Sequence, residues 1–189
     1  MKQIHYTKSF WILFSILVFA IFSTQASTIT SSSQGGLWNE TTTWVGGVIP
    51  TQTDDVIINS VVTTGNVSYT TRTLKMNNLT VNTGGKILRE ASASGKYNLE
   101  IYGNLVNNGE IIDYINYFDI NLYGNLENNG TLKPRIINLK GENQHISTNM
   151  AIECITFNFQ MTDNEVIASS NLLFRNCDLP KNGTKQWNM

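Results

Sequence analysis

The fold is decided by a segment that occurs twice: "IYGNLVNNGEI" at 101–111 returns as "LYGNLENNGTL" at 122–132. Seven of the eleven positions are identical in the two copies. The resulting period of about 21 residues is too short for a domain or a helix pair, but it fits one coil of a β-solenoid. A single coil cannot bury its own apolar residues, so it must stack on the next coil.

The repeat also predicts where its residues lie. The leucine and isoleucine positions alternate with other residues, as in a strand with one buried face, and should form inward columns. These positions are Leu105, Ile111, Leu126 and Leu132. The repeated glycines should form the corners, at backbone angles that other residues avoid. They are Gly103, Gly109, Gly124 and Gly130. The Asn pairs 107–108 and 128–129 should stack at equivalent turns, with their amides bonded in a ladder.

Short apolar triplets extend the pattern in both directions. They are found at 56–58, 79–81, 99–101, 120–122 and 137–139. In "VNTGGKI", residues 81–87, Val81, Gly85 and Ile87 form a fainter third copy of the repeat. The predicted fold is all-β, a single-stranded right-handed parallel β-helix with coils of about 21 residues. A meandering β-sandwich is the alternative, but it gives no reason for a fixed spacing.

The first residues are typical of a secretory signal peptide. Lys2 and Lys8 precede an apolar run at 9–22, and small residues follow, so residues 1–26 are interpreted as a signal peptide cleaved after Ala26. An uncleaved anchor is the alternative. The mature chain would begin at Ser27 and lose both lysines, which leaves 11 Lys and Arg against 14 Asp and Glu, a formal charge of −3. We therefore expect a secreted or cell-surface location.

Composition favours strands and turns and excludes some partners. The chain contains 24 Asn and 21 Thr and has 14% charged residues. These are strand and turn residues rather than helix formers. No basic stripe is present, so nucleic acid is not an expected partner. No second apolar run reaches the length of a membrane span, so no span is expected after cleavage.

The mature chain divides into four predicted parts. Residues 27–36 are interpreted as a flexible linker, and 37–58 as an N-terminal cap and first strand, with Trp38 and Trp44 covering the first coil. Residues 59–179 would be β-helix coils. Residues 180–189 would be a C-terminal tail. Whether this tail is truncated, and whether the protein is a monomer or part of a larger chain, are left open. Trp187 is the candidate cap of the far end.

The opening at 38–58, with the pattern W-x5-W-x-G-G-x-x-P and an Asp pair before "VII", resembles a family of extracellular modules. It is similar to the start of β-helical modules in secreted bacterial surface proteins, many of them exported by the type IX route. It also resembles the eight-glycine extracellular domain of animal cell-surface proteins. The resemblance covers residues 36–146. It implies an adhesin-like surface module or a region beside carbohydrate-active domains, and no particular chemistry.

Two residue pairs are candidate sites. Tyr102 and Tyr123 are equivalent positions of neighbouring coils, so they would form an aromatic row that either holds sugar rings or simply packs. Tyr114, Tyr117 and Phe118 are also expected to be exposed. The separation of Cys154 and Cys177 is close to one coil, so they are either a disulfide or two buried thiols.

Catalytic and metal-binding patterns are not found in the sequence. The acidic pairs Asp54/Asp55, Asp113/Asp119 and Asp163/Glu165 lack the spacing of an EF-hand loop, although calcium binding is left open. His145 has no Ser/His/Asp or HExxH partners. Lys133 and Arg135 beside Asp113 could imitate the centre of a β-helical polysaccharide lyase, but only if the loops converge. We predict no catalytic residues, no metal ligands and no cofactor.

Three functions are compatible with these observations. The first is a secreted, non-catalytic β-solenoid acting as a surface, adhesion or structural module, with extracellular polysaccharide or cell-surface components as partners. The second is a carbohydrate-binding module or a fragment of a polysaccharide-active protein. The third is a lyase. The first is preferred because the sequence repeats a scaffold and contains no recognisable catalytic set.

Overall fold

Short strands joined by tight corners make up the chain in the computed structural model, which describes residues 26–65, 71–89, 95–159, 167–168 and 172–179. In this part of the chain the one helical segment is a 3-10 turn at Thr41–Thr43. The strands, in chain order, are β1 (Thr28–Thr30), β2 (Gly36–Leu37), β3 (Asp55–Ile58), β4 (Val61–Thr63), β5 (Arg72–Met76), β6 (Leu79–Val81), β7 (Lys86–Leu88), β8 (Tyr97–Ile101), β9 (Leu105–Asn107), β10 (Glu110–Ile112), β11 (Phe118–Leu122), β12 (Leu126–Asn128), β13 (Thr131–Lys133), β14 (Ile136–Leu139), β15 (His145–Thr148), β16 (Ile152–Glu153), β17 (Thr156–Phe159), β18 (Ile167–Ala168) and β19 (Phe174–Arg175).

The strands form three sheets. Sheet I contains β1, β3, β6, β9, β12, β15 and β18, sheet II contains β2, β4, β7, β10, β13, β16 and β19, and sheet III contains β5, β8, β11, β14 and β17. Every pairing between these strands is parallel. A complete coil gives one strand to each sheet, as β9, β10 and β11 do. The predicted right-handed parallel β-helix is confirmed, with about five turns.

Equivalent residues of neighbouring coils lie above one another in the core. Leu105 pairs with Leu126 in sheet I, and Ile111 pairs with Leu132 in sheet II. All four side chains are 0–2% exposed, so the predicted inward columns are confirmed. Burial of each such side chain stabilises the fold by about 1.5–3 kcal/mol, and each column continues into the next coil.

The repeated glycines are required by close approach of the backbone. A Cβ on Gly109 would lie 2.3 Å from the carbonyl oxygen of Gly85, and one on Gly130 would lie 2.1 Å from that of Gly109. None of the four repeat glycines is among the glycines of the described chain with positive φ. The prediction that these glycines adopt backbone angles that other residues avoid is therefore wrong. The main chain of one coil occupies the space that a side chain of the next would need.

The Asn pairs form two ladders, as predicted. In the core, the Nδ2 atom of Asn107 donates to Oδ1 of Asn128 at 2.8 Å. On the outside, Asn129 donates to Asn108 at 2.9 Å, and Asn149 donates to Asn129 at 2.5 Å. Each amide in these rows therefore joins its coil to the neighbouring one.

The apolar triplets do not form one series. Those at 56–58 and 79–81 belong to sheet I, whereas the other three belong to sheet III. The fainter copy also has a different register, because Leu79, not Val81, pairs with Leu105, and Val81 pairs with Asn107. Thr83 and Gly84 account for the difference. They make the corner between β6 and β7 two residues longer than the equivalent corner between β9 and β10.

The N-terminal end of the solenoid begins earlier than predicted. Segment 27–36, predicted to be a flexible linker, contains β1, which pairs in parallel with β3. Ile29 of β1 is buried, and the Oγ atom of Ser27 donates to Oδ1 of Asp54 at 2.6 Å. A buried isoleucine between two β-branched threonines explains why this Ser/Thr-rich segment joins the sheet.

Two tryptophans cover this end of the core, as the sequence predicts. Trp38 and Trp44 are 3% and 2% exposed, and their rings pack edge to face with centroids 4.9 Å apart. The Nε1 atom of Trp44 donates to the carbonyl oxygen of Trp38 at 2.8 Å, which satisfies its one polar group. The signal-peptide segment, the tail at 180–189 and Trp187 lie outside the described residues, apart from Ala26.

Candidate functional site

Tyr102 and Tyr123 form the aromatic row that the sequence predicts. Each directly follows a strand of sheet III, β8 or β11, and the strands are in register. The ring centroids are 5.2 Å apart and the planes differ by 12°, so the rings are stacked. The Tyr102 hydroxyl donates to Oε2 of Glu100 at 3.2 Å. Both side chains are half-buried rather than exposed.

The stacking limits what these rings can bind. Each covers a face of the other, and the Nζ atom of Lys140, one coil further along, lies 5.9 Å from the centroid of Tyr123. The two facing ring surfaces are therefore closed to a stacked sugar, and Lys140 lies near the Tyr123 ring. Burial, followed by the Glu100 carboxylate, raises the pKa of both hydroxyls, which stay protonated at neutral pH.

A ladder of amides runs beside the tyrosines on the outer face of sheet III. Asn121 donates to Oε1 of Glu100 at 3.0 Å, Asn138 donates to Asn121 at 2.8 Å, and Asn158 donates to Asn138 at 2.9 Å. These residues come from four consecutive coils in register. Tyr102, Tyr123 and this ladder are called the tyrosine–amide face below.

A second polar column fixes the corner before sheet I. The side-chain oxygen of Asn78 accepts from the backbone N–H of Asn104 at 2.7 Å, Asn104 accepts from that of Asn125 at 2.8 Å, and Asn125 accepts from that of His145 at 2.8 Å. This column explains the Asn of the repeated "YGN", a role that sequence reasoning missed. His145 lies at the end of the column, and its side chain is exposed.

The other aromatic residues differ from one another in exposure. Tyr114 and Tyr117 are exposed, as expected, and the guanidinium of Arg89 lies 5.4 Å from the Tyr117 ring centroid. Phe118 was expected to be exposed, but it is fully buried. The reason is that Asp113 accepts the backbone N–H groups of Ile115, Tyr117 and Phe118, which ends the loop and begins β11 at Phe118.

The acidic pair Asp54/Asp55 is occupied by protein hydrogen bonds. Asp54 accepts from Ser27 and Thr51, and Asp55 accepts from Asn77 and Asn78. Burial would raise the pKa of Asp54, but the bonds from Ser27 and Thr51 outweigh it and leave the pKa below its usual value. Asp163 and Glu165 lie outside the described residues.

The residues that would form a lyase-like centre lie near one another, since the backbone N–H of Asp113 donates to the carbonyl oxygen of Lys133 at 2.9 Å, but their charged groups are engaged by other protein groups. Arg135 binds Asp119 through two bonds, at 2.7 and 2.5 Å, and Lys96 approaches Asp119 to 2.8 Å. Lys133 instead pairs with Glu153 at 3.1 Å. The hydrogen bonds to Asp119, opposed by burial, raise the pKa of Arg135, which stays a cation. Within the described ranges no three His, Cys, Asp or Glu residues are grouped so as to hold a metal ion.

Cys154 and Cys177 are brought together but are not linked in the structure. Their Sγ atoms are 2.7 Å apart, and the backbone N–H of Cys154 donates to Sγ of Cys177 at 3.0 Å. Cys154 is buried and Cys177 is half-buried. Burial raises the pKa of the Cys154 thiol far above its ordinary value.

Two open depressions lie on the surface of the described coils. One, of about 300 Å³, lies on sheet II beside Lys133, Glu153 and Arg175, and another, of about 240 Å³, lies on sheet I beside Asn104 and Glu127. In the part of the chain that the structure covers, no helix has the length and hydrophobicity needed to cross a bilayer.

Comparisons with known proteins do not assign this chain to a family. No family model, curated protein or solved structure matches the chain. The arguments about function therefore rest on the residues of this chain.

Proposed function

We propose that this chain is an exported, non-catalytic β-solenoid that acts as an adhesive or structural module at the cell surface. The leader-like pattern of residues 1–26 and the resemblance of residues 36–146 to secreted surface modules, including those of the type IX route, support export. The expected partners are extracellular polysaccharide or components of the cell surface.

One observation carries the non-catalytic part of this proposal. Polar groups on the described coils bond to equivalent groups of the neighbouring coil, as in the row Glu100, Asn121, Asn138 and Asn158. Catalysis by side chains needs an acid, a base or a nucleophile that converge on one reacting atom. In this row the amides and the carboxylate bond to one another along the axis instead, which suits a rod with a repeated surface for extended contact.

Export is tested on the chain in the cells that produce it. We expect the protein in the medium or on the cell surface, with Ser27 as its first residue by mass spectrometry. Recovery from the cytoplasm with residues 1–26 attached would contradict the proposal. Adhesion is tested with the labelled full chain on intact cells and isolated matrix. We expect saturable retention that disappears when the solenoid is unfolded, whereas equal retention of the unfolded chain would contradict specific adhesion.

Absence of catalysis is tested separately. The full chain, incubated with a panel of polyuronates in the presence of calcium, should release no unsaturated sugars. Release of these products by the wild-type chain, and its loss in Arg135→Gln or Lys133→Gln, would replace the proposal with a lyase.

A carbohydrate-binding module is the second candidate, favoured by the tyrosine–amide face. There, two stacked aromatic rings lie beside a carboxylate and a row of amides. Polysaccharide retention should be compared for the wild type, Tyr102→Ala and Tyr123→Ala, with Glu110→Gln of sheet II as the matched control. Loss of retention in the two tyrosine variants, measured at a temperature at which both are still fully folded, would favour this candidate. Lower stability with retention unchanged would favour the structural module.

A further inference from the structure

The cysteine pair lies between the last two described coils, where the strand ladders are short. Strand β19 pairs with β16 through only two residue pairs, Ile152 with Phe174 and Glu153 with Arg175. One further bridge joins Thr156 to Asp178. Strands β18 and β19 are the outermost strands of their sheets. Elements with so few backbone bonds open locally at low free-energy cost.

The backbone at Asn176 positions the pair. The register of β16 with β19, extended by one residue, would place Asn176 beside Cys154. Asn176 has φ of +57°, a left-handed conformation, and its side chain is exposed. Cys177 follows, and its Sγ lies 2.7 Å from that of Cys154 and 3.3 Å from the carbonyl oxygen of Ile152. Asn176, in its left-handed conformation, thus comes directly before Cys177, whose side chain lies against the neighbouring coil.

We propose that Cys154 and Cys177 are an oxidation site whose disulfide fastens the outermost described coil to the coil below it. The bond would close the loop between the two cysteines, which contains β17, β18 and β19. Closing this loop restricts the opened states of the coil more than the closed state. The proposal is independent of whether the solenoid acts in adhesion.

The oxidant is a low-molecular-weight disulfide such as oxidised glutathione. Cys177, the more accessible residue, attacks one sulfur as its thiolate, which breaks the glutathione disulfide, forms a mixed disulfide and releases one glutathione thiol. Cys154 then loses its proton and attacks the Cys177 sulfur, which releases the second glutathione. Two thiol protons and two electrons pass to the oxidant, giving two glutathione thiols and one protein disulfide. The raised pKa of Cys154 is consistent with Cys177 reacting first.

The experiment uses the full chain, equilibrated with oxidised or with reduced glutathione. Alkylation and mass spectrometry should show a Cys154–Cys177 link only in the oxidised sample. Trypsin cleavage after Arg175, quantified by mass spectrometry after reduction, then reports opening of the outermost coil, because Arg175 lies in β19. We expect cleavage at this bond to be about tenfold or more slower in the oxidised chain.

The variants Cys154→Ser and Cys177→Ser serve as controls. Trypsin should cleave each of them after Arg175 at the same rate in oxidised and in reduced glutathione. Cleavage after Lys86, in the interior of sheet II, should not respond to oxidation. A chain that forms no link with oxidised glutathione overturns the proposal, as does a linked chain that is cleaved after Arg175 as fast as the reduced one.

Discussion

Asn107 and Asn128 lie one coil apart inside the core, and the Nδ2 atom of Asn107 donates to Oδ1 of Asn128 at 2.8 Å. Both side chains are fully buried. Asn107 also donates to the carbonyl oxygen of Thr131, and Asn128 donates to that of Met150. The two amides thus satisfy carbonyl groups at the corners, and their apolar neighbours exclude water from the row.

Replacing Asn107 by Ala should lower the free energy of unfolding by about 1–3 kcal/mol, because Oδ1 of Asn128 and the Thr131 carbonyl lose a buried donor. Urea unfolding followed by circular dichroism measures the loss. Asn108→Ala is the matched control, since Asn108 is half-buried and bonds only in the outer ladder. Water can replace that bond, so the control should lose about 0.5–1.5 kcal/mol. Equal losses in the two variants would contradict a special role for the inner ladder.

The corner at Gly130 should reject any side chain. Gly130→Ala would place a Cβ 2.1 Å from the carbonyl oxygen of Gly109, so the coils must separate. We expect a loss of about 3 kcal/mol, at the upper end of overpacking effects. Gly84→Ala separates this cause from backbone strain, since Gly84 has φ of +86° and open space around it. That variant should lose about 1–2 kcal/mol. A ranking in the opposite order would show that backbone angle matters more than coil spacing.

The features that the sequence predicts correctly are those that repeat. Leu105 and Leu126 occupy the same position in two copies of one segment, so their stacking follows from the period alone. The Asn ladders follow for the same reason, because identical polar residues one coil apart meet. The tryptophan cap was predictable because a solenoid end must be covered and two large apolar residues precede the first coil.

The features that the sequence did not predict depend on irregular corners. Ser27–Asp54 and Asp119–Arg135 join residues whose separation follows no period, so no repeat marks them. The triplets at 79–81 and 99–101 have the same alternation of apolar residues although they lie on different sheets. The reason is that side chains point alternately into and out of the core in every sheet. The burial of Phe118 depends on Asp113 ending a loop, which the alternation of apolar residues does not encode.

The Tyr102–Tyr123 stack should contribute to stability. Tyr102→Ala removes a stacked ring and half-buried apolar area, and we expect a loss of about 1–2 kcal/mol. Tyr102→Phe keeps the ring and removes only the bond to Glu100, so the loss should stay near about 0.5 kcal/mol. Thermal unfolding of the two variants measures the difference. A loss in Tyr102→Phe as large as in Tyr102→Ala would mean that the hydroxyl, and not the stack, stabilises this face.

Asp119 is the most strongly paired carboxylate of the described coils. Its side chain is 6% exposed and forms ion pairs with Arg135 and Lys96. Asp119→Asn should destabilise the fold by about 2–4 kcal/mol, because Arg135 is left partly buried without its counter-ion. Glu110→Gln is the control, since its pair with Lys86 lies at the surface and should contribute much less than the Asp119 pairs. Urea midpoints at low and high salt test this ranking, and only the exposed pair should weaken strongly with salt.

Acid should weaken the N-terminal coil through Asp54. Burial opposes ionisation of Asp54, but the hydrogen bonds from Ser27 and Thr51 dominate and lower the pKa of Asp54 below its ordinary value of 3.8. The folded chain therefore binds fewer protons at this site than the unfolded chain. The resulting stabilisation is complete above about pH 3.8 and is lost as the pH falls through the lower pKa of the folded state.

Asp54→Asn isolates this contribution from those of the other carboxylates. At neutral pH the variant should be less stable than the wild type by about 1 kcal/mol, because an amide accepts weaker hydrogen bonds than a carboxylate. The difference in the free energy of unfolding between the two proteins should shrink as the pH falls below 3.8, because the protonated Asp54 of the wild type then resembles the amide. Urea unfolding of both proteins from neutral to acid pH measures it. A gap that stays constant over this range would mean that the charge of Asp54 does not hold β1 to the solenoid.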